Sequence, residues 1–348
     1  MKKILSMALG LVLAVSSLTA CKSNDDSSSS NSNSSGTSVG ANGTIRTGLG
    51  VITSISKSKA AGDSDGAAQI DTTAVAILLD GDGKISDIEI DSVQTIVNFD
   101  STGKIKTALD TEINTKKELG KDYGMGEQSG IKKEWDEQIN FLADYVKGKT
   151  IAEVEGISLN DGVAADDELK AGVTISISGY IDAIKKAAQN AKELGAGASD
   201  KIGLGIVTSI ADSKDAGDAD GLAQAYSYYA AVTVDSDKKV TSSVFDASQS
   251  NVNFNSKGAL TTDLKTEFKT KQELGDDYNM KEKSGIKKEW YEQANSFADY
   301  VKGKTADEIK GISVSEGKAT DDELKAGVTV SITDFIATAE KAISNAAA

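Results

Sequence analysis

Two segments 155 residues apart carry the residue types from which a ligand site could be built. Glu168-Leu169-Lys170-Ala171-Gly172-Val173-Thr174-Ile175-Ser176 and Glu323-Leu324-Lys325-Ala326-Gly327-Val328-Thr329-Val330-Ser331 each place a glycine and a threonine in a short turn ahead of a helix. Glycine lets a ligand come close to the backbone, and N–H groups pointing outward at a helix start favour a phosphate. Gly172, Thr174, Gly327 and Thr329 are therefore the candidate cofactor-binding residues, with Lys170 and Lys325 as the nearby cations. A plain turn leading into strand and helix, with Thr as a β-former, is the other reading.

Composition removes most other chemistry. The chain has no histidine and a single cysteine. That excludes Ser-His-Asp and Cys-His triads, the usual zinc sites, proximal haem ligation by histidine, iron–sulfur clusters and dithiol redox work. Carboxylates, Lys, Tyr and Ser/Thr remain, or chemistry borrowed from an organic cofactor. No spacing pairs the carboxylates, so no catalytic residue and no metal ligand is assigned. Asp80-Gly81-Asp82-Gly83-Lys84 begins like a calcium loop, but Lys84 stands at the fifth position and Ser92 where the bidentate Glu belongs. Asp235-Ser236-Asp237-Lys238-Lys239 adds a further cation, and a hairpin turn fits both segments. Trp135 and Trp290 lie in helical stripes and read as core. Tyr123 and Tyr278 read as packing beneath a loop or lining a mouth. Tyr226, Tyr228 and Tyr229 occur in the second segment only and read as sheet packing.

The elements that must hold these residues are written twice. Gly48-Leu49-Gly50 recurs as Gly203-Leu204-Gly205, Trp135 as Trp290 and Ala171-Gly172-Val173-Thr174 as Ala326-Gly327-Val328-Thr329, always 155 residues apart. A period that long is a duplicated domain and not a solenoid unit. Each copy opens on a β-like stretch (48–55), turns at an Asp/Gly cluster (61–66) and continues as strands over 74–79 and 85–90. A further turn at Ser101-Thr102-Gly103 suggests an antiparallel meander. Ile131, Trp135, Ile139, Leu142 and Val146 then mark one helix face. Thr150-x-x-Glu153 has the capping-box form. Ser178 reads as the N-cap of a last helix whose stripe runs through Ile181, Ile184, Ala188, Ala191 and Leu194 to a stop at Gly195. Strands first and helices after give an α+β fold: two tandem homologous domains, residues 44–194 and 195–348, each an antiparallel sheet with helices packed on one face and each able to fold alone.

The acidic residue, Gly and Thr of the two turns, followed by an alanine-rich helix, resemble the flavin-attachment motif of the FMN-binding domain family. There an acidic residue precedes Ser/Thr-Gly-Ala-Thr; here Glu168, Ala171 and Val173 stand where that motif has Asp, Ser/Thr and Ala. Asp65-Gly66 followed by Gly83-Lys84-Ile85 is similar to the same family's sheet. The resemblance implies FMN joined by a phosphoester to Thr174 and Thr329, and a role as a ligand-binding or flavin electron-relay module. The alternative is a non-redox surface protein that binds a small molecule, a glycan or a partner protein. A transporter's solute-binding lipoprotein is a third class, fitted poorly by sequential copies.

At the N-terminus Lys2 and Lys3 precede an apolar run over 4–15 and the small residues before Cys21, the pattern of an export signal. Leu18-Thr19-Ala20-Cys21 resembles the bacterial lipobox, which implies a signal peptide over 1–20 and a diacylglycerol on Cys21. Residues 21–43, rich in Ser and Asn, have too little apolar surface to fold and read as a flexible tether. Loss of Lys2 and Lys3 takes the formal charge from −15 to −17. This argues against nucleic acid and for solubility at a surface. The expected location is the extracytoplasmic face of a cell membrane, with the membrane as partner through Cys21. Replacing Cys21 with Ala is expected to release the protein from the membrane fraction unprocessed. Retention and processing as before would refute the lipobox reading.

Overall fold

The computed structural model describes residues 43–346; Cys21 and residues 22–42 of the expected tether lie outside them. Alternation decides the sheets. Along β2 (Gly66–Leu79), Val75, Ile77 and Leu79 turn to one face and Ala74, Ala76 and Leu78 to the other, all of them buried. Such a strand must be covered on both sides. It is the centre of an antiparallel sheet between β1 (Arg46–Ser54) and β3 (Ile85–Phe99). The second copy repeats the sheet with β7 (Gly221–Val234) between β6 (Lys201–Ser209) and β8 (Val240–Phe254). The strands are longer than the patterns at 74–79 and 85–90 suggested, because polar residues such as Thr72 and Gln94 continue the ladder. The hairpin at Asp80 is as expected: the Asp80 carboxylate accepts from the N–H groups of Asp82 and Lys84, and Gly83 takes a φ of 76°.

One face of the first sheet carries α1 (Lys116–Leu119), α2 (Trp135–Val146), α3 (Ile151–Glu155), the small hairpin β4 (Leu159–Asn160) and β5 (Val163–Ala164), α4 (Asp167–Lys170) and α5 (Ser178–Gln189). On the second sheet α6 (Lys271–Leu274), α7 (Trp290–Val301), α8 (Ala306–Lys310), β9 (Val314–Ser315), β10 (Lys318–Ala319), α9 (Asp322–Gly327) and α10 (Thr333–Ala346) follow in the same order. Thr150 and Glu153 form the expected capping box, as do Thr115 with Glu118 and Thr270 with Glu273. The paired glycines have a packing reason. A Cβ on Gly48 or Gly50 would collide with the backbone of Ala187 and Ala183, so α5 lies directly on β1. Asn190 and Lys186 then reach the carbonyls of Leu49 and Val51 at 3.0 and 2.7 Å.

The last helix of the first copy differs from expectation at both ends. Ser178 is its first residue and Ile177 the cap, with no side-chain bond. The helix stops at Gln189, because residue 192 leaves it to pair with β1: the amides of Thr47 and Lys192 each donate to the other's carbonyl at 2.8 and 3.0 Å.

The opposite faces of the two sheets pack on each other. Leu49, Val51, Ala76 and Leu78 share a buried cluster with Leu204, Ile206, Tyr229 and Ala231. A second cluster joins Ile70 and Val97 to Ala225 and Val252. The contacts are reciprocal. Phe99 stacks on Phe254, its own counterpart 155 residues on, at 4.1 Å between ring centres. Ala61 donates to Gly258 as Ala216 donates to Gly103, both at 2.8 Å. Lys186 pairs with Glu273 at 2.6 Å and Lys341 with Glu118 at 2.5 Å. Residue i meeting j while j meets i is the mark of a two-fold interface. Helices do cover one face of each sheet, but the described residues fall in one compact unit in which the copies complete each other's cores. The expected bounds, 44–194 and 195–348, both fall within this unit.

Phe99→Ala is expected to lower stability by about 3–5 kcal/mol while unfolding stays a single transition. Two separate transitions in calorimetry would show that the shared clusters do not couple the copies.

Candidate functional site

The structure brings Gly172 together with Thr174 and Gly327 together with Thr329, and closes both turns from within. Gln138, fully buried on α2, accepts from the Thr174 amide at 2.9 Å and hydroxyl at 3.3 Å, and donates to Ser129 and the Lys133 carbonyl. Gln293 does the same for Thr329 at 2.8 and 3.2 Å. The space a Cβ of Gly172 would need is held by the Phe141 ring, and that of Gly327 by Ser296. The expected cations are engaged too, Lys170 with Asp167 at 3.8 Å and Lys325 with Asp322 at 3.3 Å. These residues do not fit an FMN phosphate: the Thr amide it would use already bonds a buried carboxamide. The signal for this was the Gln138/Gln293 pair itself, a polar residue placed on an apolar helix stripe in both copies.

A second constellation recurs in both copies and was not assembled from spacing: Asp91, Lys116, Tyr123 and Trp135, with Asp246, Lys271, Tyr278 and Trp290. The Asp246 carboxylate accepts from the amides of Ala247 and Gln272 at 2.8 and 3.0 Å and so anchors the start of α6 to β8. Asp91 anchors α1 in the same manner through Lys117. Burial outweighs these bonds and pushes Asp246 up to about 7 and Asp91 to about 6. Lys271 is almost fully buried; burial presses it down to about 7, against the pull of the Asp246 charge. Its ammonium donates to the Tyr226 hydroxyl and lies 4.5 Å from the Tyr226 and Tyr278 ring centres.

The third feature is a cleft of about 410 Å³ between the end of α5 and the β8–α7 surface. Leu49, Val244 and Ala298 give it apolar walls, Asn190, Gln272 and Asn295 polar ones, and Asp246, Glu273, Asp299, Lys192 and Lys302 charged ones. Its lining differs from that of the equivalent place in the first copy. In the first, Glu89 pairs with Lys117, and Asp87 with Lys147 at 3.2 Å. The residues 155 positions on are Val244 with Gln272 and Ser242 with Lys302. Where the first copy has two ion pairs, the second has a neutral wall and a lysine that donates to the Leu194 carbonyl at 2.8 Å. A hollow of about 430 Å³ by the first copy's ion pairs is lined by Asp87, Glu89, Lys147 and further charged residues.

Among the described residues no group of acidic side chains is arranged to hold a metal ion, and no helix is long and apolar enough to cross a membrane. No family model and no solved structure matches the chain. A chlorophenol reductase of Desulfitobacterium hafniense is 38% identical over 97 residues, which cover 25% of this chain and 30% of that protein. The match thus spans less than a third of the relative's length.

The shifts of Asp246 and Lys271 act on stability with opposite sign. The folded pKa of Asp246 lies above the ordinary carboxyl value of 3.8, so its contribution is full at acid pH and is lost as pH rises toward 7. That of Lys271 lies below 10.5, so stability is regained between about 7 and 10.5. The stability of the wild-type chain relative to Asp246→Asn is expected to fall, by on the order of 4 kcal/mol at most, between pH 4 and 7. Urea unfolding at several pH values checks this, and a difference that grows in the other direction would contradict the buried-carboxyl assignment.

Proposed function

We propose that this chain is a lipid-anchored extracytoplasmic module, two homologous units fused into one body, that binds a small molecule without redox chemistry. The cleft beside Val244 and Gln272 is its site. What carries the reading is a difference in lining between two equivalent hollows of similar size: ion pairs line the one in the first copy, and Val244, Gln272 and Ser242 stand in their place in the second. The walls suit a ligand with an apolar flank and hydrogen-bonding groups opposite, since carboxamides both donate and accept and apolar lining with a few placed polar groups is the usual make-up of such sites. Asp246, Glu273 and Asp299 with Lys192 and Lys302 also line the cleft and add charged groups that would hold a polar ligand.

Flavin at the Thr174 and Thr329 turns is the second reading. The motif likeness supports it, and the engaged amides weigh against it. Natively purified protein is expected to be colourless, and a flavin absorption band would favour the relay.

The cleft is tested by restoring the first copy's charged lining. Val244→Glu with Gln272→Lys re-creates an ion pair that the fold already accommodates at the equivalent position. A thermal-shift panel of amino acids, sugars and, because of the relative's name, chlorinated phenols is expected to yield a compound that stabilises the wild-type chain and not the double variant. Equal stabilisation of both would place the ligand elsewhere.

A further inference from the structure

The two lysine constellations differ in what lies on one side of the ammonium. In the second copy, Tyr226 fills that side: its ring centre is 4.5 Å from the Lys271 ammonium, and its hydroxyl accepts from it. Tyr228 stacks behind at 4.9 Å and donates to the Tyr226 hydroxyl at 3.0 Å. On the other side stand Tyr278 and Trp290, at 4.5 and 5.1 Å.

The first copy keeps the wall, while neither Tyr226 nor Tyr228 has an aromatic counterpart in it. The Lys116 ammonium lies 4.7 Å from the Tyr123 ring centre and 5.2 Å from that of Trp135. The residues 155 positions before Tyr226 and Tyr228 are Asp71 and Thr73, on the same sheet face. Asp71 is drawn to Lys57 at 3.1 Å and to the carboxamides of Gln69 and Gln94, while Thr73 bonds Ser92. Lys116 is half-buried, and among the described residues no carboxylate lies within ion-pair distance of its ammonium. Exchanging two phenol side chains for Asp and Thr removes roughly 150 Å³ of side chain, the size of space that holds a benzene ring. Tyr180 and Ile52, in place of Phe335 and Val207, return only a hydroxyl and a methylene.

We infer that the first copy binds a phenol where the second holds Tyr226, with the ring against the Lys116 ammonium and the hydroxyl accepting from Nζ. The attraction combines a cation over an aromatic face with a charge-assisted hydrogen bond, and Tyr226 is its internal stand-in. This goes beyond the cleft reading and does not rest on it.

The probe is p-cresol, the tyrosine side chain as a free molecule, titrated into the full chain by calorimetry. One p-cresol per chain is expected, with toluene at least tenfold weaker because it cannot accept from Lys116. Lys116→Met should lower affinity about tenfold, Asp71→Tyr should abolish binding by filling the place, and Tyr226→Asp with Tyr228→Thr should raise the stoichiometry to two. Val244→Glu with Gln272→Lys should leave p-cresol binding unchanged, which separates this site from the cleft. N-acetyltyrosinamide binding as well as p-cresol would identify the natural ligand as a tyrosine of a polypeptide, and weaker binding would identify it as a free phenol. No p-cresol binding by the folded wild-type chain, equal affinity for toluene, or an affinity unchanged by Lys116→Met overturns the inference even if Asp71→Tyr does not fold.

Discussion

Burial of the central strands on both faces is the constraint from which the rest follows. β2 offers Val75, Ile77 and Leu79 to its helices, β7 offers Val232 and Val234 with Ala230, and the face between the sheets carries Ala74, Ala76 and Ala231 beside Leu78 and Tyr229. Small residues let two sheets approach closely across a thin layer, while the bulky stripe fills the wider gap under a helix. With no internal disulfide to help, each sheet depends on its twin for half of its cover. The shared clusters and the stacked Phe99 and Phe254 are the core of the body.

The candidate sites are set by what the two copies do differently on this common frame. Each has a short capped helix held to its sheet by a buried aspartate, a lysine beside it over a Tyr and a Trp, and a glutamine closing the last turn. The aspartate and the glutamine are structural: they satisfy buried amides and hold loops. What varies are the residues that fill the space around them. An ion pair becomes Val244 and Gln272, and a pair of tyrosines takes the place of Asp71 and Thr73. Each exchange leaves the backbone hydrogen bonds intact, so space is altered at little cost to the fold.

Much of the local structure was legible. The 155-residue period, the helical stripe through Trp135, the capping box at Thr150 and the hairpin at Asp80 are all short-range patterns that tertiary contacts reinforce. The sheet-to-sheet contact was not, because alanines at alternate positions are a weak apolar signal beside isoleucine and valine. The end of α5 was misplaced for a related reason: Ala191 and Leu194 continue the helical period, yet the free edge of β1 offers residue 192 a better partner. As for the site, Gly172 and Thr174 were found as a turn, but spacing cannot say whether a ligand or a glutamine meets its amides. Gln138 stood in plain view on an apolar face, and its meaning depends on a contact 36 residues away.

Fusion of the copies into one chain has a consequence for change. In a dimer of identical chains every substitution occurs twice, so opening one flank opens both and weakens the assembly at two places together. Here Glu118 and Glu273 brace the body symmetrically through Lys341 and Lys186, while the flanks beside them differ: ion pairs on one side, neutral residues on the other. The covalent link thus turns an obligatory symmetry into an optional one, with one copy free to vary while its twin keeps the frame.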